Sequence, residues 1–150
     1  MSFYNILVFI HIVSAIVGMG PSFVMTRVIA KVDTMSELRY GFKMRKIMHT
    51  FIMVGGTLLL TTGLIMGIMR PYLFGQIWYT GSLILYLIIL AAGPIWLRPV
   101  TKPIKEILNT YQGNEIPNEY YPLAKRLFFV ERITNTLIAT IIILMILKPF

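Results

Sequence analysis

The 150-residue chain has no cysteine and few acidic residues, with six Asp and Glu against fourteen Lys and Arg. Without a thiol, the chain forms no disulfide, no zinc–thiolate site and no cysteine-ligated iron–sulfur cluster. Charged residues make up 13% of the sequence, about half the share of soluble domains, and hydrophobic residues make up 57%. This length and composition predict an integral membrane protein with a single domain.

Motifs of common enzyme classes are also missing from the sequence. The apolar segments contain no Ser-His-Asp motif, no phosphate-binding loop and no carboxylate pair, so hydrolase chemistry has no support. The net charge of +8 comes from basic residues between apolar runs, not from a basic stripe interleaved with aromatics, so we expect no nucleic-acid partner. The first apolar run has no basic n-region or small-residue cleavage site, which indicates a retained helix.

Four apolar runs are long enough to cross a bilayer as helices, which takes about 20 residues. The predicted spans are 3–28, 47–69, 77–97 and 127–147. Lys and Arg concentrate in the connections after spans one and three, which places those connections in the cytoplasm and both termini outside. The expected fold is therefore all-α: an antiparallel, up-down four-helix bundle in the lipid bilayer of a bacterial cytoplasmic membrane.

The start of the second helix carries a capping-box pattern, with Thr34 three residues before Glu37. One alternative is a long helix that begins directly after Thr34 and follows a tight turn. On equal helical rise, that turn places His11 level with Val54. The other alternative is that the chain unwinds at Gly41, because glycine weakens a helix.

Two histidines are the main functional signal. His11 lies within the charge-free apolar segment 6–25, and His49 opens the second span. An imidazole in hydrocarbon needs a partner, and neutral imidazoles are the usual axial ligands of haem in helical bundles. We therefore expect haem b between spans one and two, with His11 and His49 as ligands of one iron. Arginines at the cytoplasmic end are expected to pair with the haem propionates: Arg27, Arg45 and Arg132.

This first hypothesis gives a role in electron transfer or haem handling, with a redox partner or a quinone. A haem-dependent oxidoreductase activity stays open. The second hypothesis is a small-solute or metal-ion transporter, assembled as a homodimer because four helices enclose little space. Its polar pathway would use His11, Ser14, Glu131 and Asn135.

Copper is the metal that the methionines suggest, with Met53 as the alternative ligand beside the histidines, or Met66 or Met69. In a third, purely structural interpretation, each histidine hydrogen-bonds within the protein and Glu131 forms an ion pair. The partners expected for Glu131 are Arg27, Arg132 and His49.

The first span also carries a short pattern, Ile10-His11-Ile12 followed by small residues and Gly18-Met19-Gly20. This pattern resembles the opening helix of bacterial copper-resistance-D-like and oxygen-independent protoporphyrinogen-oxidase-type membrane proteins. The whole chain is similar to short, four-span predicted membrane proteins of unassigned function related to them. The resemblance implies a haem-linked site at His11, which matches the first-span histidine of the protoporphyrinogen-oxidising proteins.

Overall fold

The computed structural model describes residues 2–149, and its regular structure is helical. Within these residues there is no strand, only an isolated bridge between Thr34 and Glu115. A 3₁₀ turn at Pro71–Gly75 and a π-helical turn at Gly93–Leu97 separate longer helices. The α-helices are α1 Phe3–Met25, α2 Arg27–Ala30, α3 Met35–Met69, α4 Ile77–Ala92, α5 Arg98–Thr110 and α6 Tyr120–Leu147.

Four helical stretches are long and apolar enough to cross a membrane, which confirms the predicted number of spans. Their outer faces carry large apolar side chains such as Ile68 and Ile146, each 72% exposed. Acyl chains solvate such a surface, whereas water does not. The four stretches are Phe3–Ala30, Met35–Met69, Ile77–Thr110 and Tyr120–Leu147.

The capping box predicted at the start of α3 is confirmed. The hydroxyl of Thr34 accepts from the Glu37 amide at 3.2 Å, and the Glu37 carboxylate accepts from the amides of Asp33 at 2.9 Å and Thr34 at 3.4 Å. The helix is 35 residues long and continues through Gly41, so the alternative of a long helix after Thr34 is the one observed, and the alternative of unwinding at Gly41 is wrong. A helix of that length rises about 52 Å, well beyond an apolar core of about 30 Å, so α3 extends outside the bilayer.

Glycines bring the backbones of α1 and α3 into direct contact. A Cβ atom on Gly18 would lie 2.6 Å from the backbone nitrogen of Gly56, and one on Gly55 would collide with the backbone of Gly18. Small residues of this kind let helices approach closely in a membrane. Any larger side chain at Gly18 or Gly55 has to push the two helices apart.

The register of α1 against α3 differs from the predicted one. His11 faces Thr62 and Gly63, so the prediction that it lies level with Val54 is wrong by about eight residues, roughly 12 Å of helical rise. The reason is the connection before α3, which ends on the extended residue Thr34, at φ −123° and ψ 156°. An extended residue advances the chain by about 3.3 Å, so this connection carries the start of α3 farther beyond the end of α2 than a tight helical turn would.

The third span changes to a π-helical turn at a Gly-Pro pair and continues into α5. Gly93 and Pro94 open the π-helical turn, and proline provides no amide for the regular helical ladder. The helix that follows, α5, is therefore continuous with the third span, because it begins at Arg98 directly after the turn. Ile104 of α5 is completely buried in a core cluster that includes Leu38 of α3 and Leu127 of α6.

Candidate functional site

A buried polar cluster joins α1, α3 and α6, and we call Thr26, Arg45 and Glu131 the Arg45 cluster. The Arg45 guanidinium forms an ion pair with Glu131 Oε1, and Thr26 Oγ1 donates to Glu131 Oε2 at 2.6 Å. A second guanidinium nitrogen donates to the Met25 carbonyl at 2.7 Å. Arg45 is 6% exposed and Glu131 is 8% exposed, so each charge depends on the other for compensation.

The local backbone explains why Arg45 is accommodated there. The helical path of α1 is interrupted at Thr26, and the last carbonyls of a helix lack intrahelical partners. Arg45 satisfies one of them at Met25, and the Asn135 side-chain amide donates to another at Ser22, at 3.3 Å. The polar side chains of α3 and α6 therefore complete the end of α1.

The observed partner of Glu131 is one that sequence reasoning missed. The predicted partners Arg27, Arg132 and His49 are all exposed and form no ion pair with it. Arg45 was expected in the connection before a span that starts at residue 47. Because α3 is continuous from Met35, the Arg45 side chain instead points into the protein.

The arginines predicted to bind the haem propionates also lie in different surroundings from those expected. Arg45 is occupied by Glu131, and Arg27 and Arg132 lie on the exposed surface. The structure therefore does not gather the three arginines around one anionic group. Tyr120, at the start of α6, has a buried hydroxyl without a hydrogen-bond partner among the described residues.

A second polar group lies farther along the bundle, and we call His11, Thr62 and Tyr79 the His11 cluster. His11 Nδ1 lies 2.9 Å from Thr62 Oγ1, and the Tyr79 hydroxyl donates to the Gly63 carbonyl at 2.8 Å. Gly63 leaves room for the imidazole, because a Cβ there would lie 3.2 Å from His11 Cε1. His11 thus faces the interior through a hydroxyl on α3.

The proton positions in the His11 cluster follow from its acceptors. The Thr62 hydroxyl lies 2.7 Å from the Leu58 carbonyl, which only accepts, so the single hydroxyl proton belongs to that bond. With that proton on the Leu58 carbonyl, Thr62 accepts from His11, and this assignment puts the ring proton on Nδ1 and the lone pair on Nε2. In this tautomer a histidine is able to ligate through Nε2 while Nδ1 donates to a neighbouring side chain.

A small cavity adjoins His11 where α1, α3, α4 and α6 meet. Its volume is about 40 Å³, and the thioether side chains of Met19 and Met145 line it together with the imidazole. Tyr79, Ser82 and Tyr86 contribute the remaining polar side chains of the lining. The cavity accommodates an ion or a water molecule, whereas sites for cofactors measure about 300–1,000 Å³.

The structure does not bring the two histidines together. His11 contacts Thr62, which lies 13 residues after His49 along α3, or about 20 Å at helical rise. His49 and Met53 are both exposed on α3. The expectation that His11 and His49 share one iron is therefore wrong in this structure, because the register separates their levels.

The other predicted interior residues have different surroundings. Ser14 is 4% exposed where α1 meets α3, and its carbonyl lies 3.0 Å from the Cβ that Gly55 would carry. Asn135 is half-buried. Residues 2–149 contain no group of three or more His, Asp or Glu side chains that could hold a metal ion.

Sequence comparison adds a family to this description. Residues 5–149 match the family described as "Predicted integral membrane protein (DUF2269)". The chain belongs to that family. Among curated proteins and solved structures, none matches the chain. Family membership and the four apolar helices agree that this is an integral membrane protein, which sits in a lipid bilayer. The comparisons give no similarity to copper-resistance-D-like proteins or to haem proteins.

Proposed function

We propose that this family member binds and transports a soft metal ion, Cu(I), through the cavity beside His11. The observation that supports this proposal is a space of about 40 Å³ whose lining includes the His11 imidazole and the Met145 thioether, with Met19 farther along α1, about 12 Å of helical rise from His11. Thioether and imidazole ligands suit Cu(I), and the space is sufficient for an ion. These methionines replace Met53 of the sequence-based hypothesis, which is 52% exposed.

The tautomer of His11 supports the same role. Thr62 accepts from Nδ1 and leaves Nε2 as the nitrogen available to an ion. A hydrogen bond from the other ring nitrogen to a neighbouring side chain orients a ligating imidazole and raises its basicity.

A route for the ion continues from His11 toward the other end of the bundle. Asn135 and Glu131 follow each other by about one turn on α6, and both contact the end of α1. We propose that the ion passes these polar side chains when Glu131 exchanges Arg45 for another partner, with no ligation of Cu(I) by their oxygens. The opposite numbering of α1 and α3 in contact supports antiparallel spans, and the basic connections favour both termini outside the cytoplasm.

Haem b remains a second candidate, because His11 Nε2 is also the nitrogen that would ligate a haem iron. The cavity beside His11 does not hold a macrocycle, so haem requires the helices to separate or binding at the surface of the bundle. In this candidate His11 is the single protein ligand. A homodimer, a redox partner or a quinone would then complete the electron-transfer function.

Metal binding by the purified protein tests the proposal. We expect one Cu(I) per chain, measured anaerobically by competition with a chromogenic Cu(I) chelator. Met145→Leu should weaken binding with little loss of stability, since Leu and Met have similar volume, and Met19→Leu should weaken it less, since Met19 lies about 12 Å of helical rise from His11. Met53→Leu is the matched control and should leave affinity unchanged. Thr62→Val should weaken binding about 10- to 100-fold, because it removes the hydrogen-bond acceptor that orients the His11 ring.

Two outcomes overturn the copper assignment. One is a protein that retains no Cu(I) against the chelator, and the other is equal weakening by Met53→Leu and Met145→Leu. A red preparation with a Soret band that His11→Ala abolishes would establish haem instead. Transport is measured separately, as Cu(I) uptake by proteoliposomes that contain wild-type protein or the Met145→Leu variant.

A further inference from the structure

A groove of about 300 Å³ opens where the π-helical turn meets the first half of α6. Trp96 and Pro99 form one side, and Phe129 and Ile133 form the other. Arg126 is the charged residue in this lining. The groove is distinct from the His11 cavity and contains none of the proposed metal ligands.

The π-helical turn exposes the apolar side of the groove. Proline at position 94 lacks an amide, and the widened turn that follows leaves Ile95 62% exposed and Trp96 48% exposed. Tryptophan is typical of the boundary between headgroups and acyl chains. The groove therefore lies at the level where a lipid changes from polar to apolar.

Along α6, the lining of the groove changes from the charged Arg126 to the apolar Phe129 and Ile133. Arg126, Phe129 and Ile133 follow each other at helical spacing, so they share one face of α6. Arg126 is exposed, and none of the carboxylates in residues 2–149 forms an ion pair with it. A guanidinium presents a fork of donors that matches phosphate oxygens.

We propose that this groove binds one anionic phospholipid, with its phosphate on Arg126 and an acyl chain along Phe129 and Ile133. Charge complementarity selects an anionic headgroup, and the apolar length of the groove selects a lipid over free phosphate. Trp96 covers the part of the acyl chain nearest the headgroup, from the opposite side of the groove. This site does not depend on the metal proposal, because it shares no residue with it.

Tryptophan fluorescence tests the proposal directly. The chain has two tryptophans, so Trp78→Phe leaves Trp96 as the single reporter. The variant is reconstituted in phosphatidylcholine vesicles with increasing fractions of brominated phosphatidylglycerol or brominated phosphatidylcholine. We expect brominated phosphatidylglycerol to quench Trp96 with a preference of about fivefold, the effect of one basic residue near a charged lipid.

Matched substitutions decide whether Arg126 is the cause. Arg126→Gln should reduce the preference to parity, and Arg132→Gln should keep it, since Arg132 is an exposed arginine of α6 outside the groove. Parity in the parent variant, or equal loss in both substitutions, overturns the proposal. Loss of the preference on addition of inorganic phosphate would identify a free-anion site and overturn the lipid assignment. Native mass spectrometry of the unmodified chain with both lipids gives the same comparison without replacing Trp78.

Discussion

Arg45 of α3 and Glu131 of α6 form a buried ion pair that links the first helical hairpin to the last helix. The two residues are 86 positions apart in sequence. Thr26 and the Met25 carbonyl of α1 complete their hydrogen bonds. Three of the spanning segments are therefore tied at one level by a single polar cluster.

Removal of one charge from this pair should destabilise the protein strongly. Glu131→Gln leaves the Arg45 guanidinium buried without its counter-charge, for which we expect a loss of about 3–5 kcal/mol of unfolding free energy. The measurement is thermal or denaturant unfolding in detergent micelles. Arg132→Gln is the control and should unfold like wild type, because Arg132 is exposed on the same helix.

The double variant Arg45→Met with Glu131→Leu separates charge compensation from packing. Replacing a buried ion pair by apolar residues is often neutral or stabilising, so most of the stability should return. A double variant no more stable than Glu131→Gln would show that packing, and not the unpaired charge, causes the loss. Wild-type stability of Glu131→Gln would show that the ion pair does not contribute to the free energy of unfolding.

The contact between α1 and α3 predicts opposite results at two neighbouring glycines. Gly18→Ala places a methyl group against the backbone of α3 and should cost about 1–3 kcal/mol, as overpacking does. Gly20→Ala has nothing within 4 Å of the added Cβ and should be neutral or slightly stabilising, because alanine is the better helix former. Unfolding of both variants in the same detergent makes the comparison, and equal effects would contradict the close backbone contact.

The capping box at α3 predicts a smaller and local effect. Thr34→Ala removes the acceptor of the Glu37 amide and should cost about 1 kcal/mol. Ser36→Ala, two residues later and exposed, serves as the control. Hydrogen exchange of the first turn of α3 should accelerate in Thr34→Ala only; acceleration in both variants would argue against the cap.

The orientation of the spans can be measured with single cysteines, because the natural chain has none. Tyr72 is 61% exposed in the turn after α3, and Ser36 is exposed near its start. The basic connections predict that Tyr72→Cys reacts with a membrane-impermeant maleimide in intact cells. Ser36→Cys should react only after permeabilisation. The reverse labelling pattern would place the termini in the cytoplasm.

The sequence predicts the parts of this structure that depend on local pattern. Apolar run length determines the number of spans, and Thr34 with Glu37 marks the start of α3. The level of His11 against α3 was not predictable in the same way. It depends on the backbone of a four-residue connection, where each extended residue adds about twice the rise of a helical one.

The Arg45 cluster and the His11 cavity depend on distant residues that no local pattern connects. Met145 lines the same cavity as His11 because α6 packs beside α1. For Arg45 a weak signal was available, because it continues the buried stripe of Leu38 and Gly41 at helical spacing. Such a stripe indicates an inward-facing arginine before its partner is known.

The close glycine contact between α1 and α3 limits the motion of these two helices relative to each other. Backbones in direct contact at Gly18 and Gly55 leave no layer of side chains that can slide or repack. We expect the first two spans to move within the membrane as one rigid unit. Widening the space around His11 would then require this pair of helices to tilt against α4 and α6, which would break the Arg45–Glu131 ion pair between α3 and α6.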